Sequence, residues 1–200
     1  MVAVDRRILE NLVLAMPPGG GEEKKARGKK KDQTKKKADP KKVEILDACA
    51  ALGKACNKVR DMDGARRYSK RAKEEYEEQL FPDDAKTLDV TRSLIMATKI
   101  SRGEKIEKLR DLVRRCERAL GEENVVTLET LNSLGDRLMM NGEFVEAIKV
   151  HERCLAGRMK VFGENHKDTL GSLNNLGGVY HMLKNYEKSL EHYERALKGY

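Results

Sequence analysis

The side chains that could carry chemistry are few in this chain, and the cysteines are the first to consider. Cys49, Cys56, Cys116 and Cys154 lie 7, 60 and 38 residues apart. A structural zinc site or a dithiol centre is typically built on cysteines about two residues apart, and the sequence contains no such pair. We therefore predict reduced, structural thiols, as expected of a cytosolic or nuclear protein.

The histidines and glycines do not form a recognisable catalytic pattern either. His151 and His192 lie at or next to helix positions that aromatic residues fill elsewhere in the chain, so packing explains them better than catalysis. The glycine run at 19–21 lacks the following strand and the Gly-Lys-Ser signature of a phosphate-binding loop. Aromatic residues make up only 4% of the chain, too few for a large aromatic-lined pocket. We predict a protein without catalytic activity, cofactor or metal.

The basic residues are concentrated in one segment. Residues 24–42 carry eleven cations and two carboxylates, a net charge of +9, while residues 1–23 carry −2, so residues 43–200 hold only +1 of the total of +8. Such a tail can bind nucleic acid through its phosphates, attract anionic membrane, or act as a nuclear address; a solubilising extension is the alternative. The residues of this basic tail are Lys24, Lys25, Arg27, Lys29, Lys30, Lys31, Lys35, Lys36 and Lys37.

The tail divides the chain into a linker and a folded part. Residues 17–42 contain no apolar side chain larger than alanine, so we predict a disordered linker there. Residues 1–16 are apolar but interrupted by Asp5 and Glu10, which favours a short amphipathic helix or an extended segment over a signal sequence. No apolar run approaches the roughly 20 residues of a membrane-spanning helix. Folding is predicted to start at Val43.

The chain beyond residue 42 contains a repeat of 42 residues. The segment 127–135 aligns with 169–177 at six identities in nine positions, and Gly121-Glu122 aligns with Gly163-Glu164. Two weaker copies of the repeat precede these two. The alignment of the second repeat, residues 83–122, is uncertain by about one residue. Apolar residues recur at helical spacing, as in Leu128, Leu131 and Leu134. We predict an all-α solenoid of stacked antiparallel helix pairs at about 43–82, 83–122, 123–164 and 165–200, joined within pairs by turns at 141–143 and 183–185.

The order of residues in the last unit resembles a known repeat. Leu176-Gly177, then Tyr180, Tyr186, Ser189, Tyr193 and Ala196 resemble the tetratricopeptide repeat, and the longer 42-residue unit starting Phe162-Gly-Glu-Asn-His resembles the repeats of kinesin light chains. Lys167 stands where that subtype often has proline, and no long heptad segment precedes the repeats. The resemblance therefore implies a light-chain-like scaffold that binds proteins, rather than a motor subunit. A cytoplasmic location and a kinesin or cytoskeletal partner are further implications of this resemblance.

The repeats predict where a ligand binds. Stacked helix pairs leave a concave surface that binds extended segments of other proteins. The positions two and five residues before and after the leucine of each Leu-Gly pair lie on one face of each first helix. An amide side chain on this face can form hydrogen bonds with a peptide backbone. Lys54, Arg92 and Lys99 would make the amino-terminal part of the groove basic, and the resemblance to light-chain repeats implies acidic, aromatic-bearing peptides as ligands. The predicted groove residues are Lys54, Asn57, Arg92, Lys99, Asn132, Asp136, Met139, Asn174, Asn175, Gly178 and His181.

Two alternatives stay open at this point. The asparagines could lie on a solvated face or bond within the repeats. Terminal repeats need a polar cap for solubility, so the end at Gly199-Tyr200 is expected to be covered by further repeats or by another chain.

Overall fold

The computed structural model describes residues 40–199, and this part of the chain forms eight α-helices and no β-strand. The helix pairing confirms the predicted all-α fold. α1 begins at Pro40, three residues before the predicted start, because proline fits the first turn of a helix. The predicted segment 1–16 and most of the linker, residues 17–39, lie outside the described residues. The helices are α1 (Pro40–Lys58), α2 (Met62–Gln79), α3 (Ala85–Ala97), α4 (Arg102–Leu120), α5 (Val125–Asn141), α6 (Phe144–Phe162), α7 (Lys167–Met182) and α8 (Tyr186–Gly199).

Two of the three linkers between helix pairs are closed by the same hydrogen bond from a threonine hydroxyl. α4 and α6 end at Gly121 and Gly163, whose φ angles of 90° and 88° suit glycine. The Thr127 hydroxyl donates to the Gly121 carbonyl at 2.8 Å, and the Thr169 hydroxyl donates to the Gly163 carbonyl at 2.8 Å. Between α2 and α3 the stretch from Phe81 to Thr87 is one residue shorter than the stretch from Phe162 to Thr169, and the linker has no glycine. The buried Thr87 hydroxyl makes no hydrogen bond. The first linker therefore lacks the fastening that the later two share.

The helices stack in chain order. Each packs against the next, and the first helices of successive pairs, α1, α3, α5 and α7, also contact one another. Among the described helices, the backbones of the second helices do not approach each other in this way, and α4 and α6 are joined by side-chain ion pairs such as Arg110–Glu146 and Arg153–Glu117. This asymmetry curves a solenoid so that its first helices line the inner side. Within residues 40–199, every helix is too short or too polar to span a membrane.

Small residues stand where the helices of a pair approach closely, as the repeat pattern predicts. A Cβ atom built on Gly135 would lie 2.6 Å from the His151 ring, and one on Gly177 would lie 2.7 Å from the Tyr193 ring. Ile95 stands at the equivalent position of α3, and α3 and α4 make fewer close backbone approaches than the other pairs. A cavity of about 600 Å³ opens beside this pair, between α2, α3 and α4. The degenerate second unit is thus also the most loosely packed one.

The two glycines give a matched test of this packing. In Gly135→Ala the new methyl group meets a fully buried ring, which costs about 1–3 kcal/mol and outweighs the gain of about 1 kcal/mol from better helix propensity. In Gly177→Ala the facing Tyr193 is 40% exposed and can move outward, so the helix gain remains. Urea unfolding should separate the two variants by about 2 kcal/mol. Equal unfolding midpoints would contradict this account.

Candidate binding groove

The structure places the predicted groove residues on the first helices, with one exception. Lys54 and Asn57 lie on α1, Arg92 lies on α3, and Lys99 lies just beyond the end of α3. The remaining residues of the predicted groove share α5 and α7. They are Asn132, Asp136, Met139, Asn174, Asn175, Gly178 and His181.

Carboxylates already neutralise two of the three cations in the amino-terminal half of this groove. The Lys54 ammonium lies 2.5 Å from Asp89, and the Arg92 guanidinium lies 2.7 Å from Asp89 and 2.6 Å from Glu129. Lys99 is 74% exposed, with its ammonium 4.0 Å from Asp63. The ion pairs of Lys54 and Arg92 join α1 to α3 and α3 to α5. An acidic ligand would have to compete with the carboxylates that hold these helices together.

The asparagines also join neighbouring repeats. The Asn57 amide donates to the Ser93 carbonyl at 3.3 Å, and the Asn175 amide donates to Asn132 Oδ1 at 3.0 Å and to Asp136 Oδ1 at 3.3 Å. The side chain of Asn174, which occupies the repeat position of Asn132, makes no hydrogen bond to the described residues and is half-buried. Two residues that look equivalent in sequence therefore differ in what they can offer a ligand.

Beneath the groove lies a buried polar cluster that the sequence reasoning did not identify. Arg158 on α6 is 8% exposed and donates to the Asp168 carbonyl at 2.8 Å, to Ser172 Oγ at 2.8 Å and to Asn132 Oδ1 at 3.4 Å. It thereby ties α6 to both α5 and α7. A charged residue on the apolar face of α6 was the available signal for it.

Burial shifts two pKa values in this cluster in opposite directions. His151 is fully buried, and burial together with the nearby Arg158 cation lowers the pKa of its imidazole to about 4. Burial raises the pKa of the Asp136 carboxyl to about 6, against the opposing effects of Arg137 and Arg158. His151 Nε2 lies 3.7 Å from Asp136 Oδ1. A substrate cannot reach the fully buried ring, so this cluster is a structural one.

Two of the three other histidines also occupy packing or capping positions. His192 stacks on Tyr180 with ring centres 5.4 Å apart, and burial lowers the pKa of its imidazole. His166 caps α7, since its Nδ1 accepts a hydrogen bond from the Asp168 amide at 3.3 Å. His181 is exposed at the end of the groove and meets the Tyr186 ring edge-on at 5.6 Å.

Two further observations bear on metal or redox chemistry. All four cysteines are buried free thiols, and burial raises the pKa of Cys49, Cys116 and Cys154. No group of three or more ligating side chains with metal-site geometry occurs among residues 40–199. The predicted basic tail lies outside the described residues.

Comparison with known proteins agrees with the stacked helix pairs. Residues 127–200 match the family model of the tetratricopeptide repeat. Residues 127–200 therefore carry tetratricopeptide repeats. The TPR array, as we now name residues 40–199, also holds two earlier helix pairs that stack in the same way. No curated protein matches the chain by sequence.

Solved structures show the same fold in kinesin-light-chain-like repeats. BtubC (BKLC) from P. vanneervenii is 21% identical, with a TM-score of 0.62 over 78% of this chain and 63% of BtubC. A variant of the nearly identical TPR-like repeats of a kinesin light chain from Podosopora anserina is 19% identical, with a TM-score of 0.64 over 76% of this chain and 73% of that one. The chain thus spans less than two thirds of BtubC. At these identities the likeness establishes the fold.

Proposed function

We propose that the TPR array is a non-catalytic scaffold that binds an extended peptide along the groove formed by α1, α3, α5 and α7. The observation that carries the proposal is the continuous contact of these four first helices, which lines one side of the array with polar side chains. By likeness to kinesin-light-chain repeats, we also propose a cytoplasmic location and a cytoskeletal protein partner.

The carboxyl-terminal half of the groove is the better place for the peptide. Asn174 offers an amide that is not used between helices, and an amide can both donate to and accept from a peptide backbone. Gly178 has no side chain, and a Cβ built there would have one neighbour within 4 Å, the Tyr193 hydroxyl at 3.7 Å. The exposed His181 and the half-buried Met139 border the same region. We expect a weak preference for acidic peptides, since Lys54 and Arg92 are already paired.

Alanine substitutions test this proposal on peptides selected by display on the full chain. Asn174→Ala should weaken binding about fivefold to tenfold, the effect of one lost hydrogen bond, without changing the unfolding midpoint. Asn132→Ala should weaken binding and also lower stability, because Asn132 accepts from Asn175 and Arg158. Asn165→Ala, in the linker before α7, is the matched control. Unchanged affinity in Asn174→Ala would place the site elsewhere.

The basic tail supports a second proposal, in which residues 24–42 bind nucleic acid or anionic membrane through their charge of +9. Removal of residues 22–39 separates the two proposals. If the tail is the functional element, the shortened chain loses binding to DNA or anionic vesicles at low salt. If the groove is the functional element, the shortened chain captures the selected peptides as the full chain does.

A further inference from the structure

The cavity between α2, α3 and α4 is separate from the groove, since none of the predicted groove residues lines it. The short α3 accounts for this cavity: α3 has 13 residues, whereas α5 and α7, the first helices of the next two pairs, have 17 and 16. The chain leaves α3 about one turn early and crosses to α4 through residues 98–101, so the first turns of α4 lack a full-length partner. Ile95, where the later pairs have glycine, also keeps α3 and α4 apart.

The walls of the cavity are apolar. They are formed by Leu94, Ile95, Ile100 and Leu112, together with Thr91 and Thr98. Each of these two threonine hydroxyls donates to a carbonyl one turn earlier in α3 at 2.7 Å, so its proton is not available to a ligand. The volume of about 600 Å³ is within the range of ligand sites in proteins. Such walls favour an apolar ligand over a polar one.

The charged side chains at the rim of the cavity already have partners. The three cations pair as Lys73–Glu77 at 2.7 Å, Lys108–Glu104 at 3.5 Å and Arg115–Asp83 at 2.9 Å. The other two rim carboxylates, Glu107 and Asp111, pair with Arg110 and Arg114. A ligand with one strong charge would have to break one of these pairs. An apolar segment that carries both charge signs would not.

Residues 1–16 are an apolar segment of this kind, and neither proposed function uses them. Val4, Ile8, Leu12 and Met16 follow one another at intervals of four residues, which would place them on one face of a helix. Two arginines and two carboxylates lie between them, so the side chains of the segment carry both signs and no net charge. Residues 17–39 contain no apolar side chain larger than alanine. Within residues 1–39, only this segment can supply large apolar side chains to the cavity.

The connection to α1 is long enough for residues 1–16 to reach the cavity. Asp47 of α1 lies 2.7 Å from Lys86 at the start of α3, which sets these two helices side by side. At a rise of 1.5 Å per residue, the cavity wall at Leu94 is then roughly 25 Å from Pro40 along the array. Residues 17–39 span about 25 Å as a flexible chain and up to about 75 Å when extended.

We propose that residues 1–16 dock in the cavity of their own chain, with their apolar face against the walls supplied by α3 and α4. Attachment through residues 17–39 gives the segment an effective concentration of about 1 mM, so even a contact with a dissociation constant of about 0.1 mM is about 90% occupied. The docked segment braces the most loosely packed helix pair. It also ties both ends of residues 17–39 to the array. The proposal does not depend on a peptide in the groove.

Hydrogen exchange on the full chain, followed by mass spectrometry, tests the proposal. Ile8→Asp/Leu12→Asp breaks the apolar face and lies outside residues 40–199, so the fold of the array is retained. The amides of α3 and α4 should exchange about tenfold more slowly in the wild type than in this variant, since docked chains outnumber undocked ones about ten to one. The amides of α7 and α8 should exchange equally in both. Arg6→Glu changes the net charge by the same amount on the polar side of the segment, and this matched control should exchange like the wild type.

Two further measurements locate the contact. Ile100→Asp places a charge in the cavity wall, so Ile8→Asp/Leu12→Asp should have no additional effect in its presence. A synthetic peptide of residues 1–16, added at about 1 mM to the Ile8→Asp/Leu12→Asp chain, should restore the protection of α3 and α4. Protection in the wild type should be the same at about 1 μM and about 100 μM protein, because the contact is within one chain.

Equal exchange of α3 and α4 in the wild type and in Ile8→Asp/Leu12→Asp would overturn the proposal. So would protection centred on α5 and α7, which would place the segment in the groove. Protection that rises with protein concentration would also overturn it, since the segment would then dock on a second copy. If Ile100→Asp does not fold, the comparison of the segment variants and the peptide addition still decide.

Discussion

Replacing Arg158 by methionine is expected to lower the free energy of unfolding by about 3 kcal/mol. The guanidinium is buried and donates to Asp168, Ser172 and Asn132, and its charge also opposes the negative charge of Asp136. Hydrogen bonds from a buried charged group contribute about 1.5–3 kcal/mol each, and removing one member of a buried charged cluster leaves the others uncompensated. Methionine keeps much of the volume but none of the donors.

Arg153→Met is the matched control for Arg158→Met. Arg153 lies on the same helix and is paired with Glu117 at 2.5 Å, but it is 51% exposed, so its loss should cost at most about 1 kcal/mol. Urea unfolding followed by circular dichroism measures both variants. Because repeats contact only their neighbours, hydrogen exchange should show the damage to Arg158→Met in α7 and α8 first. An unfolding midpoint shared by Arg158→Met and the wild type would show that the cluster does not stabilise the α6–α7 junction.

The stability of an Asp136→Asn variant should fall as the pH is lowered from 6.5 to 4. In this window the unfolded His151 takes up a proton at its ordinary pKa, while burial keeps the folded His151 neutral until its pKa of about 4. The unfolded state therefore binds more protons, and the loss approaches about 1.4 kcal/mol per pH unit, or about 3 kcal/mol across the window.

Asp136 must be replaced to see this effect in full. Its pKa is raised to about 6, so the folded state takes up a proton on this carboxyl before the unfolded state does, and stability rises as the pH falls through that range. In the wild type the two contributions oppose each other. Water screens the Asp136 contribution, because about a third of that side chain is exposed.

The control for the titration is Asp136→Asn/His151→Phe, which keeps every other acidic and basic group. Free energies of unfolding from urea titrations at several pH values between 7 and 4 should decline more steeply for Asp136→Asn than for the double variant. Parallel curves would mean that His151 is protonated in the folded state at its ordinary pKa.

The sequence predicted the fold because packing positions repeat. Glycine recurs at 135 and 177, where two helices of a pair approach closely. Threonine recurs at 127 and 169, where its hydroxyl binds the carbonyl of the linker glycine. Periodicity carries that information without any knowledge of the partner residue.

The groove was less predictable, because contacts between neighbouring repeats determine which of its side chains are free to bind a ligand. Asn132 and Asn174 are identical in register, yet Asn175 bonds to the first, while the second makes no hydrogen bond within the described part of the chain. Arg158 was missed for a related reason. Its acceptors on α5 and α7 lie 26, 14 and 10 residues away, distances that follow no repeat period.

The second helix pair is where we expect the array to deform most easily. α3 and α4 make the fewest close backbone approaches of any pair, and a cavity of about 600 Å³ opens beside them. We therefore expect the bending stiffness of the array to be lowest within this pair and higher in the two pairs that follow. A ligand that spans α3 and α4 must fix their angle at an entropic cost, whereas a ligand held by α5 and α7 meets a preset curvature.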